Sequence, residues 1–304
     1  MNKNCNVMIL GGGGFIGSNL SAYLSRKSYN VSVFDMRAPE NPVPGVRYME
    51  GNFFDERSLD VLTEGQDIVI HALSTVTPGN SNRVYMRGYG GDFLQTIHLL
   101  DRLSQTRGKL LYLSSAGTVY GRYNDHPFRE EDPLRPINHY GSVKVCVETA
   151  MRAFNEQQDT HFLSCRITNP YGPGQDYMKG VGFIDAVVKS VMNDQTLEVW
   201  GDGSVVRDYI YIDDVCHMLE LLLHYEGKLQ TFNISTGVGT SQNEIIALFE
   251  KLGLPVRVNY LSARTVDAKY NIASNDKIVA ALGCTCCSIE EGVTRYLDYL
   301  GIRR

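Results

Sequence analysis

A short apolar run near the amino terminus leads straight into a glycine-rich turn. Val7–Leu10 has β character, and Gly11–Gly17 follows at once, before an amphipathic segment at 18–25. A strand, a glycine-rich turn and a helix in this order are the context that a dinucleotide-binding fingerprint requires. The spaced glycines of the fingerprint are Gly11, Gly14 and Gly17. Because glycine lets backbone amides at a helix start approach a pyrophosphate, the segment predicts a dinucleotide site.

A second strand-like run, 30–34, ends in an acidic residue, Asp35. An acid about twenty residues after such a turn can accept hydrogen bonds from both ribose hydroxyls of NAD, and it would repel a 2′-phosphate. The position therefore favours NAD over NADP. Arg37 lies close behind and argues the other way, since an arginine there can receive that phosphate.

Strand-like runs alternate with helical patterns through the first half of the chain. Strands are predicted at 6–10, 30–35, 46–49, 67–71, 109–114 and 161–166, and helices near 15–26, 56–63, 84–105 and 138–156. This alternation predicts an α/β fold with a doubly wound parallel sheet of the Rossmann type. After residue 166 the pattern loosens into Gly/Pro-rich loops. Helices are predicted there near 180–193, 213–224, 241–252 and 290–300, with short strands near 197–199 and 209–211.

A tyrosine and a lysine stand four residues apart in the middle of the chain. Tyr140 and Lys144 follow the serine-rich stretch Ser114–Gly121. On a helix this spacing puts both side chains on one face, so the ammonium can lower the phenol pKa from about 10 toward neutrality. The pair predicts Tyr140 as an acid/base, although the spacing alone is also common on solvated helix faces.

Composition excludes several classes of protein. With 29 Lys and Arg against 34 Asp and Glu, the net charge is −5, so no basic surface for nucleic acid or anionic membrane is expected. The seven cysteines are odd in number and mostly scattered, which predicts neither a disulfide framework nor a metal site. No apolar segment nears the length of a membrane span, and we expect a cytoplasmic protein.

The order of the motifs resembles a known family. From about residue 6 to about 300, the sequence carries the glycine turn, Asp35, Gly51-Asn52-Phe53, His71-Ala72, Val119-Tyr120-Gly121, Tyr140-x-x-x-Lys144, Asn169–Pro173 and Arg207-Asp208-Tyr209. Together these resemble the extended short-chain dehydrogenase/reductases that act on nucleotide sugars, most closely the UDP-galactose (UDP-glucose) 4-epimerase group. The resemblance implies a Rossmann domain at 1–170 with a return segment near 205–240, including a strand near 231–234. It implies a smaller, discontinuous nucleotide-sugar domain, mainly 171–304.

The resemblance also implies roles for individual residues. Tyr140 would be the acid/base, and Lys144 would lower its pKa and hydrogen-bond the nicotinamide ribose. Two arginines would clamp the pyrophosphate, as planar guanidinium groups do well. The implied NAD-binding residues are Gly11, Gly14, Phe15, Ile16, Gly17, Asp35, Asn52, Phe53, Ala72, Ser114, Tyr140 and Lys144. The implied substrate-binding residues are Thr118, Tyr140, Asn169, Arg207, Arg264 and Asp267.

Position 116 departs from the family pattern. The family has a Ser or Thr there that relays the proton of the sugar 4-hydroxyl, whereas this chain has Ala116. Thr118, Ser115 or a water could take that role. If the strand is still regular at this point, Thr118 shares a face with Ala116 and Ser115 points away, so we favour Thr118. Nucleotide-sugar dehydratases carry an acidic pair after the Thr, and Ala116-Gly117-Thr118 supplies none, which disfavours dehydration.

Three functions remain open on this sequence. The first is NAD-dependent 4-epimerisation of a UDP-hexose or UDP-N-acetylhexosamine through a transient 4-keto intermediate. The second is an NAD(P)H-dependent 4-ketoreductase of a nucleotide 4-keto-6-deoxyhexose, which needs a proton donor but not the same relay. The third is a nucleotide-binding protein that has lost catalysis, against which the intact Tyr140 and Lys144 argue.

A homodimer is expected because members of the family commonly pair two long helices from each subunit. The corresponding helices here are predicted at 84–105 and 138–156. Apolar residues recur on them at helical spacing, at Phe93, Ile97, Leu100, Val143, Val147 and Met151. The same residues could equally face the protein's own sheet.

Overall fold

The computed structural model describes residues 5–106, 108–122, 126–179, 182–263 and 268–302. The strands are β1 Asn6–Leu10, β2 Asn30–Asp35, β3 Arg47–Glu50, β4 Ile68–His71, β5 Lys109–Ser115, β6 Phe162–Ile167, β7 Asn169–Tyr171, β8 Leu197–Trp200, β9 Val206–Tyr211, β10 Thr231–Ile234, β11 Gly239–Ser241, β12 Val258–Leu261 and β13 Tyr270–Asn271. The helices are α1 Phe15–Arg26, α2 Arg57–Thr63, α3 Tyr85–Arg87, α4 Leu94–Thr106, α5 Ala116–Val119, α6 His139–Gln158, α7 Phe183–Met192, α8 Ile212–Leu223, α9 Gln242–Lys251, α10 Asp276–Leu282 and α11 Ile289–Tyr299. A π-helical segment, Gly88–Phe93, joins α3 to α4, and a 3-10 turn spans Tyr177–Lys179. Within these ranges no helix has the length and apolar character to cross a bilayer.

Seven parallel strands form the central sheet in the order β3-β2-β1-β4-β5-β6-β10. The chain begins at β1, moves outward to β3, and then continues on the other side of β1 from β4. β1 therefore pairs with both β2 and β4, and the strand order reverses between β1 and β4. A ligand crevice is expected at such a reversal, outside the carboxyl ends of the strands. The predicted α/β class and doubly wound sheet are confirmed.

Helices cover both faces of this sheet. In β1, Val7 and Ile9 join one apolar cluster, together with Leu20 of α1, whereas Met8 and Leu10 join a second cluster. The second cluster also holds side chains from α2, α4 and α6. Because successive strand residues point to opposite faces, a strand covered on both sides reads as a continuous apolar run. That signal is strong, and the strands predicted for the central sheet match the observed ones to within one residue.

The apolar residues proposed for a dimer interface pack mostly inward. Leu100, Val143, Val147 and Met151 are each at most 3% exposed. Three of them belong to the cluster against the chain's own sheet, and Phe93 and Ile97 pack partly buried against it. Their spacing is therefore explained by the core, and the prediction that they form a subunit interface is not supported.

The carboxyl-terminal half contributes two smaller sheets. β9 pairs in parallel with β7 and β13 and antiparallel with β11, and β8 pairs in parallel with β12. β10 returns to the central sheet beside β6. β7, β11 and β13 were not predicted, because strands of two or three residues are too short to show a period. The division into domains at residue 170 remains a prediction.

Candidate active site

The turn between β1 and α1 needs glycine for close backbone approach. Gly11 has φ +81°, and a Cβ there would lie 2.8 Å from the backbone of Leu73. A Cβ on Gly17 would lie 2.5 Å from the Gly11 carbonyl oxygen. α1 begins after Gly14, which has no side chain to cap the helix. The amides of the first turn, at Phe15 and Ile16, therefore stay available to an anion such as a pyrophosphate.

Asp35 and Ala72 border this turn from the two neighbouring strands. The Gly13 amide donates to Asp35 Oδ2 at 2.9 Å, and the Met36 amide donates to Oδ1 at 2.7 Å. The Ala72 amide donates to the Leu10 carbonyl at 2.9 Å, at the end of β4. The half-buried Asp35 carboxylate thus lies against the glycine turn, where the ribose of a dinucleotide held by that turn would come.

Three other residues predicted to contact the cofactor have partners within the chain. Asn52 Oδ1 accepts a hydrogen bond from the amide two residues on, at 3.1 Å. Phe53 is 2% exposed, and its ring lies edge-on to His71 at 5.4 Å between centroids. Ser114 Oγ donates to Glu148 Oε1 at 2.5 Å. Phe53 and Ser114 thus direct their side chains into the protein, and the Phe53 carbonyl accepts a hydrogen bond from Gln95 Nε2 at 2.7 Å. Their contact with a cofactor stays a prediction.

Tyr140 and Lys144 stand on successive turns of α6. Lys144 is 4% exposed, and its Nζ donates to the Leu113 carbonyl at 2.8 Å. The same Nζ lies 4.6 Å from the centre of the Tyr112 ring and 5.4 Å from the centre of the Tyr140 ring. Tyr140 is half-buried. The spacing in sequence thus does place the ammonium beside the phenol.

The pKa of Tyr140 nevertheless moves in the direction opposite to the prediction. Burial, together with the Asp92 carboxylate, raises the pKa of Tyr140 to about 12. Burial lowers the pKa of Lys144 to about 8, and the Asp92 and Glu148 carboxylates oppose that decrease. The expectation that Lys144 brings the pKa of this phenol toward neutrality is therefore wrong for the free protein. Desolvation penalises both charged forms more than the pair gains at this distance.

The segment after β5 is helical, although the choice of Thr118 as the proton relay assumed that the strand continues there. β5 ends at Ser115, and residues 116–119 form the single turn α5. Two residues apart on a helix point to nearly opposite sides, so Thr118 does not share a face with Ala116 as predicted for a regular strand. Ala116 is fully buried, whereas Thr118 Oγ1 donates to the Ser115 carbonyl at 3.4 Å.

This turn packs closely on the start of α6. A Cβ on Gly141 would lie 2.7 Å from the Thr118 carbonyl oxygen. Asn138 caps α6, because its Oδ1 accepts a hydrogen bond from the Gly141 amide at 2.8 Å. The contact places the Thr118 backbone against Gly141, the residue that follows Tyr140. Which hydroxyl relays a proton, that of Ser115 or that of Thr118, stays a prediction.

A cavity of about 290 Å³ lies beside β7 and β9. Asn169 and Arg207, both predicted to bind substrate, line it. Asn169 Nδ2 donates to the Asp208 carbonyl at 2.7 Å, and the Arg207 guanidinium donates to the carbonyls of Val206 and Ala268, each at 2.8 Å. The other two predicted substrate contacts, Arg264 and Asp267, lie outside the described residues.

Sequence reasoning missed two acids that the fold buries near these groups. Asp92 is 5% exposed in the π-helical segment. Asp185, on the wall of the cavity, accepts a hydrogen bond from Tyr296 Oη at 3.0 Å, and burial raises its pKa to about 6. The available signal was a single acid at a position where the helical pattern expects a core residue, as in the otherwise apolar Phe183–Met192.

Comparisons with known proteins give a family and several relatives. The model of the NAD dependent epimerase/dehydratase family matches residues 7–235. A UDP-glucose 4-epimerase of Halalkalibacterium halodurans is 26% identical over 298 residues, covering 91% of this chain and 89% of the relative. A dTDP-4-dehydro-6-deoxyglucose reductase of Escherichia coli is 28% identical over 293 residues, covering 91% of each. The crystal structure of a UDP-glucose 4-epimerase of Thermotoga maritima with UDP-glucose has a TM-score of 0.91 at 27% identity, covering 97% of this chain and 98% of that one. These matches confirm the resemblance inferred from the motifs.

Proposed function

Because the chain belongs to the NAD-dependent epimerase/dehydratase family, we propose that it epimerises a nucleotide sugar at carbon 4. The substrate class is a UDP-hexose or a UDP-N-acetylhexosamine, and the reaction passes through a transient 4-keto sugar. The observation that carries the proposal is the arrangement around α6. Its Tyr140 and Lys144 stand side by side, and its first turn packs on the Ser115–Val119 segment.

The prediction of NAD as the cofactor is confirmed by the family. The glycine turn fits a pyrophosphate, because the close backbone packing at Gly11 and Gly17 leaves no room for a Cβ and holds the turn tight at the start of α1, where backbone amides can meet an anion. The Asp35 carboxylate would accept hydrogen bonds from the hydroxyl groups of the adenosine ribose. When bound, NAD supplies reversible hydride transfer at carbon 4 of the sugar.

Tyr140 would take the proton of the sugar 4-hydroxyl and return it after the keto sugar has turned over. Its pKa of about 12 in the free protein must fall for this step. A positive charge close to a phenol favours the phenolate, and Lys144 is the cation that the chain itself provides. Lys144 therefore has to keep its proton while Tyr140 works. On the substrate side, Asn169 and Arg207 would hold the diphosphate.

The 4-ketoreductase is retained as a second candidate because of Ala116. A free keto substrate needs one proton donor and no relay to a 4-hydroxyl. The Escherichia coli reductase covers as much of this chain as the epimerase from Halalkalibacterium halodurans does. Retention of the cofactor separates the two reactions, since an epimerase returns the hydride to the same sugar and a reductase consumes it.

One assay tests the proposal. The purified protein is incubated without added cofactor with UDP-glucose, UDP-N-acetylglucosamine and a dTDP-4-keto-6-deoxyhexose, and the products are resolved. Conversion of a UDP-sugar to its 4-epimer, abolished in Tyr140→Phe, supports the epimerase. Reduction of the keto sugar only when NADH or NADPH is added would replace it with the reductase. No conversion of any of the three would point to a nucleotide-binding protein without catalysis.

We also propose that the protein is a homodimer. With the six core residues excluded, the support comes from exposed apolar side chains around α3 and the start of α4. Met86 is 66% exposed, Leu94 52%, Tyr85 44% and Val84 37%. Large apolar side chains left exposed within one short stretch of chain favour an interaction surface there. A monomer by light scattering at micromolar concentration would contradict the dimer.

A further inference from the structure

Asp92 is a buried carboxylate for which the proposed mechanism has no use so far. It accepts hydrogen bonds from the Thr75 amide at 2.8 Å, Thr75 Oγ1 at 2.6 Å and Ser74 Oγ at 3.1 Å. Ser74 and Thr75 belong to the loop that follows β4. Among the described residues, no lysine, arginine or histidine forms an ion pair with it within 4.0 Å. A charge buried without an ion-pair partner is costly, so its presence calls for a reason.

The π-helical segment that carries Asp92 presses on α6 next to the lysine. Gly88 is buried, and a Cβ there would lie 3.0 Å from Val143 Cγ2, the side chain that precedes Lys144. π-helical turns are rare and occur often at functional sites, because the extra residue redirects the side chains around it. Asp92 stands four residues after Gly88, about one π-helical turn, so it lies on the face of the segment that packs against α6. Its charge raises the pKa values of Tyr140 and Lys144.

A chain of contacts also connects the Asp92 backbone with Lys144. The Asp92 backbone carbonyl accepts a hydrogen bond from Thr96 Oγ1 at 2.6 Å, and Thr96 Oγ1 lies 3.0 Å from His71 Nε2. The His71 ring is edge-on to Tyr112 at 5.3 Å, and Lys144 Nζ lies over the Tyr112 ring. Asp92 is therefore linked to Lys144 both by its charge and by a continuous series of packed side chains.

Of the two carboxylates that act on Lys144, Asp92 is the one with no ion-pair partner among the described residues. The titratable groups around Tyr140 and Lys144 are Asp92, His71 on β4, Tyr112 on β5, and Cys146 and Glu148 on α6. Burial and Lys144 lower the pKa of His71 to about 3, so it is neutral. Burial raises the pKa of Tyr112. The Glu148 carboxylate is already bound by Arg166, with Nη2 to Oε2 at 2.6 Å.

We propose that Asp92 is a positioning residue, whose carboxylate balances the Lys144 ammonium beside Tyr140 and ties the Ser74–Thr75 loop to the helix that carries it. The role of Asp92 in turnover rests on the proposed function, whereas its effect on Lys144 does not. Asp92 favours the protonated form of Lys144 and so opposes the burial that lowers the pKa of this lysine. The same charge opposes formation of the Tyr140 phenolate, so that this phenol ionises only when another positive charge arrives beside it.

The sign of the effect follows from the charges. Removing a negative charge favours the deprotonated form of both neighbours, so the pKa values of Lys144 and Tyr140 both fall. For unit charges several ångströms apart in a partly buried site, the shift is about one pH unit. In Asp92→Asn, we therefore expect Lys144 to titrate near pH 7 instead of about 8.

The titration of Lys144 can be measured without substrate. Protein labelled with ¹³C-lysine is titrated by NMR, and Lys144→Met identifies the Lys144 side-chain signal. We expect a midpoint of about 8 in the wild type and about one unit lower in Asp92→Asn. Asp60→Asn is the matched control, because its side chain is 59% exposed and pairs with Arg102 at the surface. Equal midpoints in Asp92→Asn and the wild type would overturn the proposal.

A second variant covers the case in which Asp92→Asn does not fold. Asp92→Ser also removes the charge but leaves a hydroxyl that can still accept a hydrogen bond from the Ser74–Thr75 loop, so the Lys144 midpoint should again fall by about one unit. An unchanged midpoint in Asp92→Ser would then overturn the proposal.

Activity gives the second readout. In Asp92→Asn, both limbs of the kcat pH profile should move about one unit toward acid with little change in KM, because the pKa values of Tyr140 and Lys144 both fall. A lower kcat with both limbs unmoved would reduce Asp92 to a structural role and overturn the proposal. If the wild type converts no nucleotide sugar, the proposed function fails, while the NMR titration still decides the role of Asp92.

Discussion

Replacing Gly141 with alanine should disturb the site through a single added carbon. In the structure that Cβ would lie 2.7 Å from the Thr118 carbonyl oxygen and 3.1 Å from Pro136 Cβ, and an ordinary contact begins at 3.4 Å. α6 and the 116–119 turn must therefore separate by about 0.7 Å, the difference between 3.4 and 2.7 Å. Overpacking of this kind costs about 1–3 kcal/mol. The higher helix propensity of alanine offsets up to about 1 kcal/mol of this cost. With a mid-range overpacking cost of about 2 kcal/mol, we expect a net loss of about 1–2 kcal/mol in the free energy of unfolding.

The same separation should reduce turnover more than stability. Tyr140 moves with the start of α6, and a misplacement of about 1 Å can cost about 100-fold in rate. We expect Gly141→Ala to lower kcat between about 10-fold and 100-fold, measured in the epimerase assay, alongside urea unfolding at equilibrium.

Gly90→Ala is the matched control for this prediction. Gly90 lies in the π-helical segment with no heavy atom within 4 Å of an added Cβ. This variant should keep its turnover and be as stable as the wild type or slightly more so. If Gly141→Ala matches the wild type in both measurements, the close packing of the turn on α6 does not position Tyr140, and the reasoning is refuted.

Three further predictions follow from the site. Thr118→Val should lower kcat about 100-fold with little change in nucleotide affinity, since it removes a proton relay and keeps the shape of the side chain. Ser115→Ala, the control for the neighbouring hydroxyl, should change kcat much less, and the opposite ranking would assign the relay to Ser115. By titration, NADH should bind more tightly than NADPH, because Asp35 would have to lie beside a 2′-phosphate. Asp35→Asn should reduce the difference in affinity between NADH and NADPH. Tighter binding of NADPH than of NADH to the wild type would contradict the predicted preference. Arg166→Met should lower the free energy of unfolding by about 3–5 kcal/mol, because Glu148 is left buried and unpaired. The double variant with Glu148→Met should recover most of that loss in the same urea measurement, and failure to recover would show that the loss is one of packing.

Most of the first half of the chain could be predicted from the sequence. Strands such as Val7–Leu10 are buried on both faces and therefore appear as unbroken apolar runs, and the glycine turn and Asp35 follow them at fixed offsets. These features depend on local spacing, which the chain carries in its own order. The short strands around Asn169 and Tyr270 had no such period, because their backbones are held by pairing with β9, far away in sequence.

The position of Tyr140 beside Lys144 was determined by the sequence, since a four-residue spacing on a helix fixes which side chains meet. The pKa of the phenol was decided only by the tertiary structure. Burial and the charge of Asp92, which is 48 positions earlier in the chain, raise it, and no local pattern encodes either effect. The helical turn at Ala116 was decided in the same way, where the segment after β5 packs on the start of α6. Spacing along the chain specifies neighbours on one element, whereas desolvation and charge depend on every element that packs around the site.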